Sequence, residues 1–539
     1  MSTADGAANR FASRLTRASD VRLSVAVGAI ALVFAAPLIY LLSQTSDALD
    51  AIRDADIGAP LARTVMLATT CAITTAILGT SLAWLIARTD LPGRRFWRIA
   101  APLPLVFPSF VGAFCFLAAF TDGGLADDYL LRPLGIESRW RIEGFGWSVV
   151  VLTLFTYPYV YLPVVARLTE LPASIEESAR SLGCSTRRLF VAIVLPQIRG
   201  AIGAGALLVF LYSLSEFGAV SLLRYGTLTR SIHQSVQSFD EESAFALSLV
   251  LAACALAVIS LERAWSRRRG RIEATGRGRV SIRYPLGRSR VPATIFVGAM
   301  SALALFGPMA VLAQWAWRGV RSGSSLHAER LLPSVSNTVQ YGVIGAVCAI
   351  AITLPIAYLV VRRPANVIGR SANAIVTSAF AIPGLVLGFV FVDLALTDQV
   401  PEWLYQSSPL LVLAYVVHFG AQALRAGEVA VTGVPRRLGE ASRSLGVSGL
   451  RRFLRVDLPL MRSGLGAGAG LVLLSVAKEL PATLLLIPSG EGTLALRVWS
   501  ATESLFYAQA GFFALALVTL SGGLTWFLTI RPLAREGRL

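Results

Sequence analysis

The chain is poor in charge and nearly devoid of lysine. Charged residues fill 15% of its 539 positions, against about 25% in a soluble domain. Hydrophobic residues make up 55%, with a mean hydropathy of +0.64. A surface facing water on every side is excluded. Lys478 is the sole lysine, so the remaining base among the 49 Lys and Arg is arginine, set against 32 acids for a net charge of +17. A phosphate-cradling loop of the form G-x-x-x-x-G-K-[ST] is excluded too, because Lys478 sits in an apolar run before Glu479. The five cysteines show no disulfide or metal-type spacing. Cys71, Cys115, Cys254 and Cys348 lie in apolar runs, where a thiol behaves as a small hydrophobe, and Cys184 lies in a basic loop. His233, His327 and His418 are too scattered to suggest a metal site. No H-E-x-x-H motif or nucleophile–base pair is visible, so no catalytic residue, metal ligand or cofactor is expected.

What the chain does have is apolar length. Runs approaching the roughly 20 residues that span a bilayer core occur about twelve times. In the first half they are 24–44, 65–86, 99–120, 147–165, 201–223 and 244–261; in the second, 291–315, 338–361, 374–396, 409–424, 464–487 and 510–530. The first is longer than a signal-peptide core of roughly 7–15 residues and lacks a cleavage site, so it reads as an uncleaved helix. Arginines cluster in alternate loops: Arg10, Arg14, Arg17 and Arg22; Arg94, Arg95 and Arg98; Arg187, Arg188 and Arg199; Arg267, Arg268, Arg269 and Arg271. The intervening loops carry Asp47, Asp50, Asp54 and Asp56, then Asp240, Glu241 and Glu242. Cytoplasmic loops retain positive charge, so both termini are expected in the cytoplasm. Topology explains the basic charge, and no nucleic acid is needed as a partner; the lipid bilayer is.

The chain also repeats itself, and internal repeats decide architecture. ESARSLGCSTRRLFVAIVLP from Glu177 aligns without a gap on EASRSLGVSGLRRFLRVDLP from Glu440. The register continues through Gly203 on Gly466, Gly205 on Gly468, Glu216 on Glu479 and Ala219 on Ala482, with Pro172 on Pro435 upstream. The expected fold is all-α: about twelve transmembrane helices in two homologous, like-oriented halves, 1–262 and 291–539, joined by a Gly- and Arg-rich cytosolic linker over 263–290. Each repeated loop, 172–199 and 435–462, predicts a short helix, a break and a second helix feeding the next span. Ser174 and Glu177 have capping-box spacing. Gly183 and Gly446 suit a left-handed helix end, and Ser185 or Thr186 suits the cap of the next helix, which runs to Leu195 and Pro196. Arg437 replaces the serine in the second copy, whose first helix should start less firmly.

These loops resemble the EAA loop of binding-protein-dependent ABC importer permeases. The matching residues are Glu177, Ser178, Ala179, Gly183, Ile193, Leu195 and Pro196, and again Glu440, Ala441, Ser442, Gly446, Val456, Leu458 and Pro459. Serine replaces alanine once in each copy, which keeps the volume low. The resemblance implies a type I importer permease in a bacterial inner membrane, without a nucleotide site of its own. Its partners would be two copies of an ABC ATPase, which receive the short helices in a groove, and an extracytoplasmic substrate-binding protein. ATPase coupling would fall to Glu177, Ser178, Ala179 and Gly183 and to Glu440, Ala441, Ser442 and Gly446.

Ionisable residues within a membrane are costly and face a bundle interior or wet cavity. Glu216 and Glu479, in equivalent places of the fifth span of each half, are candidates to line the translocation path, with Lys478 beside the second. The alternative is a structural pair, for instance either glutamate with Lys478. Pro108 and Pro383 recur in the third spans, as packing kinks or as borders of the path. KELPATLLL from Lys478, with EFGAV from Glu216, is similar to fused permeases of the ferric-iron uptake family. Fused permeases for thiamine and phosphonates share the architecture and stay open as substrate alternatives. An ion-gradient-driven carrier is the alternative of another class, and a membrane enzyme a third.

Overall fold

Hydrocarbon offers no partner to a backbone N–H or C=O, so an apolar run of this length is stable there as a helix that satisfies itself. The computed structural model describes residues 2–44, 57–135, 141–171, 173–268, 283–323, 326–398, 400–447 and 449–530. Asp47, Asp50, Asp54, Asp56, half of the linker (269–282), Pro172 and Ser448 lie outside the described residues. Among the described residues each apolar run overlaps one long helix or one bent helix pair. Ten are long helices: Val21–Ser43, Gly58–Arg88, Gly144–Glu170, Arg187–Leu214, Glu241–Leu261, Gly287–Arg321, Ala328–Arg362, Ser408–Thr432, Gly449–Ala477 and Tyr507–Leu528. The third span of each half is a bent pair, Arg94–Val106 with Ser109–Phe120 at 96° and Val367–Ala379 with Gly384–Leu396 at 102°.

Two runs end differently from expectation. The runs 201–223 and 464–487 are not single helices: the long helices stop at Leu214 and Ala477, and short helices Gly218–Leu222 and Pro481–Leu486 follow a break. The short run 409–424 is instead extended to Thr432. There Glu428 accepts from Asn373 and pairs with Arg425 at 2.9 Å, which carries the helix past its apolar limit.

The sequence duplicates as 1–262 and 291–539, but compactness follows another partition. One unit comprises Met1–Leu49, Leu332–Thr493 and Gly523–Leu539; the other comprises Asp50–Leu331 and Leu494–Gly522. In the first unit the opening span, Val21–Ser43, packs along Val367–Ala379 and Gly384–Leu396. Asn366 donates to Ser24 Oγ at 3.2 Å and Tyr40 donates its hydroxyl to Asp393. In the second unit the span Gly287–Arg321 packs on Ser109–Phe120. Trp315 Nε1 donates to the Ala118 carbonyl at 2.9 Å, and Arg318 pairs with Asp128. The opening span of each sequence half thus finds its polar partners on spans of the other half. Apolar faces do not discriminate between partners in lipid, whereas close packing and interhelical hydrogen bonds do.

Close approach supplies the second lock. Gly420, in Ser408–Thr432, leaves room for the Phe34 ring of the opening span; a Cβ there would stand 2.2 Å from Phe34 Cε1. Overpacking of this kind costs about 1–3 kcal/mol. Gly420→Val should therefore lower the thermal midpoint in detergent, and Phe34→Ala in the same chain should restore part of it. No loss in the single variant, or no recovery in the double, would contradict this packing.

Candidate functional site

The two repeated loops are built alike. The nine-residue helices Ala173–Ser181 and Arg436–Ser444 are followed by Gly183 at φ +79° and Gly446 at φ +74°. Gly183 N–H donates to the Arg180 carbonyl at 2.9 Å and Cys184 N–H to the Ala179 carbonyl at 3.1 Å. This pair of bonds closes a helix over a left-handed residue. In the second copy Val447 N–H donates to the Ser442 carbonyl at 2.9 Å. No atom lies within 4 Å of a Cβ built on either glycine, so backbone conformation rather than space demands it. Ser185 Oγ accepts from the Arg188 N–H at 3.4 Å, capping Thr186–Leu189 as expected.

Two local expectations are corrected. Ser174 is the second residue of its helix rather than the residue ahead of it, so it is not the cap, and Arg437 occupies the same place in a helix of equal length. The Leu-Pro pairs end no helix either. A π turn, Phe190–Val194 or Phe453–Asp457, precedes each, and the chain continues through Pro196 into Leu195–Leu214 and through Pro459 into Leu458–Ala477. The wider turn accommodates a proline ring that would clash with the carbonyl four residues earlier in an α-helix.

Exposure divides the motif residues. Glu177, Ser178 and Gly183 are exposed, as are Glu440, Ala441 and Gly446; Ala179 and its counterpart Ser442 are buried. The residues before the glycines, Leu182 and Leu445, are 85% and 82% exposed. Each loop therefore offers a carboxylate and an uncovered apolar side chain beside a rigid turn. The leucines were legible as a Leu-Gly pair at the same register in both copies, but were not singled out.

The roots of the loops were not legible. Glu176, next to the motif glutamate, is buried and pairs with the buried Arg88, the last residue of Gly58–Arg88. Tyr284, from the end of the inter-half linker, donates its hydroxyl to the other Glu176 oxygen at 2.5 Å. In the second copy Gly439 stands where Glu176 does. Arg452 pairs with Asp457 at 3.1 Å, and Tyr358 donates to the same carboxylate at 3.2 Å. Arg362 Nη2 donates to the Val434 carbonyl at 3.0 Å.

The two membrane glutamates sit in the helix breaks and not at helix centres. Glu216 Oε1 accepts the Ala219 N–H at 2.9 Å and Oε2 accepts the Ser109 hydroxyl at 2.8 Å. Glu479 Oε1 accepts the Ala482 N–H at 3.1 Å, and His418 Nε2 lies 4.0 Å from Oε2. Each carboxylate thus takes up a buried first-turn amide of a short helix, where negative charge is favoured. Pro108 and Pro383 are the extended residues at the bends of the third spans, with φ, ψ of −61°, 145° and −57°, 143°. The bends meet the breaks: Ser109 bonds Glu216, and Gly384 lies so close to Glu479 that a Cβ would be 2.7 Å from Oε1. The sequence-nominated prolines and glutamates are thereby brought together within each unit. Lys478 is the C-cap of Leu458–Ala477. Among the described residues no group of three or more His, Cys, Asp or Glu could hold a metal ion.

Duplicated bundles of this kind, each with a bent third span, a broken fifth span and a rigid exposed loop, define a two-part membrane permease. The chain matches the family described as binding-protein-dependent transport system inner membrane component over residues 76–271 and 349–535, more than half its length, and belongs to it. Each matched segment contains one loop and one break glutamate. The Fe(3+)-transport system permease protein FbpB 2 of Haemophilus influenzae is 30% identical over 466 residues, which cover 86% of this chain and 88% of that one. The putative ferric transport system permease protein FbpB 1 of the same organism is 24% identical over 73% of this chain and 64% of its own. The sulfate transport system permease protein CysT of Escherichia coli is 29% identical over 38% of this chain and 75% of its own. The chain is therefore an importer permease, a multi-pass protein of the inner-membrane type. Membership of this family implies an ATPase and a substrate-binding protein as partners and sets aside the gradient-driven carrier.

A left-handed backbone costs an L-residue roughly 1–2 kcal/mol. Gly183→Ala and Gly446→Ala should each loosen their loop, with tryptic cleavage at Arg187 or Arg451 about fivefold faster in detergent. Asparagine at either site should stay nearer wild type. Equal cleavage rates for wild type and both alanine variants would refute the left-handed closure.

Proposed function

We propose that this chain forms the translocation path of an ATP-driven importer of ferric iron and takes its driving force through the two loops from two copies of an ABC ATPase. The observation that carries this reading is the duplicated loop, which offers an exposed glutamate and an exposed leucine on a turn anchored by an ion pair with a buried carboxylate. A rigid lever with an uncovered apolar tip suits a partner that pulls on it. Glu177, Ser178, Ala179 and Gly183, with Glu440, Ala441, Ser442 and Gly446, are the coupling residues of the proposal. Both loops and both termini face the cytoplasm in it, so the digestion above should fail in right-side-out vesicles.

Iron is favoured over sulfate by coverage: the ferric relative aligns over 86% of the chain, through both halves, whereas the sulfate relative aligns over 38%. The chemistry agrees, since carboxylates at the breaks attract a cation and repel an oxyanion. Thiamine and phosphonate remain the alternatives. The purified permease–ATPase complex in lipid nanodiscs should hydrolyse ATP faster when given a ferric-loaded binding protein. Stimulation by a sulfate-, thiamine- or phosphonate-loaded binding protein in its place would reassign the substrate.

Within the path the proposal puts Glu216, Glu479 and Lys478, bordered by Pro108 and Pro383. A second reading has the glutamates only holding the breaks, and their bonds to the Ala219 and Ala482 amides favour it. Glutamine separates the two, because it keeps an acceptor oxygen and removes the charge. In the Glu216→Gln, Glu479→Gln double variant a path role predicts uptake lower by on the order of tenfold, with the thermal midpoint little changed. Undiminished uptake rejects the path role.

A further inference from the structure

The segment that links the two halves returns to the root of the first loop. Tyr284 N–H donates to the Arg88 carbonyl at 2.8 Å, and Asp90 N–H donates to the Tyr284 carbonyl at 3.2 Å, a parallel bridge centred on Thr89. Leu286 N–H adds a bond to Asp90 Oδ1 at 2.8 Å. The Tyr284 ring stacks on Trp84 with centroids 5.3 Å apart, and Trp84 meets Phe190, the first residue of the π turn, edge-on at 4.7 Å. The Arg180 guanidinium, from the loop helix itself, lies 5.9 Å from the Tyr284 ring centre. The hydroxyl closes over Glu176. Burial, and then the Glu176 bond, hold the phenol above its usual range, so it is a donor at neutral pH.

This root has little slack. Arg88 is 0% and Glu176 2% exposed, and Nε and Nη1 of Arg88 have no hydrogen-bond partner. A buried guanidinium so sparsely satisfied depends strongly on its one carboxylate. That carboxylate is in turn fixed by Tyr284. The second root is made differently: Tyr358, Arg452 and Asp457 all come from its own half. Where the first loop has Glu176 the second has Gly439, with Arg452 Nη1 3.3 Å from the position of a Cβ.

Taking the loops as the ATPase contacts proposed above, we infer that the inter-half linker is a working part of the first contact and not only a tether. Tyr284 is a positioning residue that binds the loop helix Ala173–Ser181 to the end of the span Gly58–Arg88, so that loop and span move as one lever. Among the described residues the second lever takes its ion pair and tyrosine from its own half. Loss of Tyr284 therefore damages one of the two contacts selectively, and the two ATPase subunits drive this permease through unequal joints.

Hydrogen–deuterium exchange of the assembled complex tests this. In Tyr284→Phe the amides of 173–181 should exchange about tenfold faster, the size expected for losing one hydrogen bond to a charged acceptor, and in Tyr284→Ala faster still. Residues 436–444 should keep their wild-type rates in both. Asp457→Asn should reverse the pattern. In complexes that retain the ATPase, substrate moved per ATP hydrolysed should fall in the order wild type, Phe, Ala. Unchanged exchange in 173–181, or equal change in both loop helices, overturns the strap. Selective exchange with an unaltered transport ratio overturns its role in coupling. If the wild-type complex shows no stimulated hydrolysis, the parent reading fails instead, and the exchange pattern still decides whether the strap exists.

Discussion

The interruptions of the third and fifth spans are governed by one constraint: a polar backbone group or charge away from water must find its partner inside the chain. The third and fifth spans of each half are interrupted, and each interruption frees backbone amides. A carboxylate answers in both halves, Glu216 to the amide of Ala219 and Glu479 to that of Ala482. Because the bent third span presses its own turn against the same carboxylate, the two irregularities stabilise each other. The first half adds a hydroxyl, Ser109, and the second a bare glycine, Gly384, with His418 nearby. The duplicated scaffold thus holds two carboxylates in the same backbone setting but in different company, so the two halves diverge in chemistry without diverging in fold.

The same constraint shapes the loops. Both are closed by a left-handed glycine and rooted by an ion pair with a buried carboxylate, but the charges come from different places. Glu176 and Arg88 serve one root, Arg452 and Asp457 the other. Position 176 in the first copy is a buried acid, while its counterpart 439 is glycine; position 194 is valine, while its counterpart 457 is a buried acid. The acid stands in a different element of the repeated loop, the nine-residue helix in the first copy and the π turn in the second. Duplication preserved the need for a shielded pair and left its placement free.

Fusion adds what two separate chains could not have. A linker that leaves the first half and returns to its loop can contribute a side chain there, and Tyr284 does. The exchange of opening spans works in the same direction: Ser24 and Tyr40 find their hydrogen-bond partners in Asn366 and Asp393. Parts that are distant in the chain become each other's polar partners, while the apolar faces between them are nearly interchangeable.

Apolar run length and one gapless repeat were enough to read the class, the number of spans, the two loops and their glycines, because each is a local property of the chain. Gly183 had to be glycine for its own backbone, and Glu216 and Glu479 stood out as charges in apolar surroundings. The tertiary structure alone decided that those glutamates cap helix breaks, that Pro108 and Pro383 mark bends near a right angle, and that each opening span belongs with the other half. It alone revealed the roots of the loops, since Glu176 finds Arg88 and Tyr284 at separations of 88 and 108 residues. No periodicity or motif encodes a partner so far away. Only the packing of the spans brings such groups together, and burial then makes their pairing obligatory.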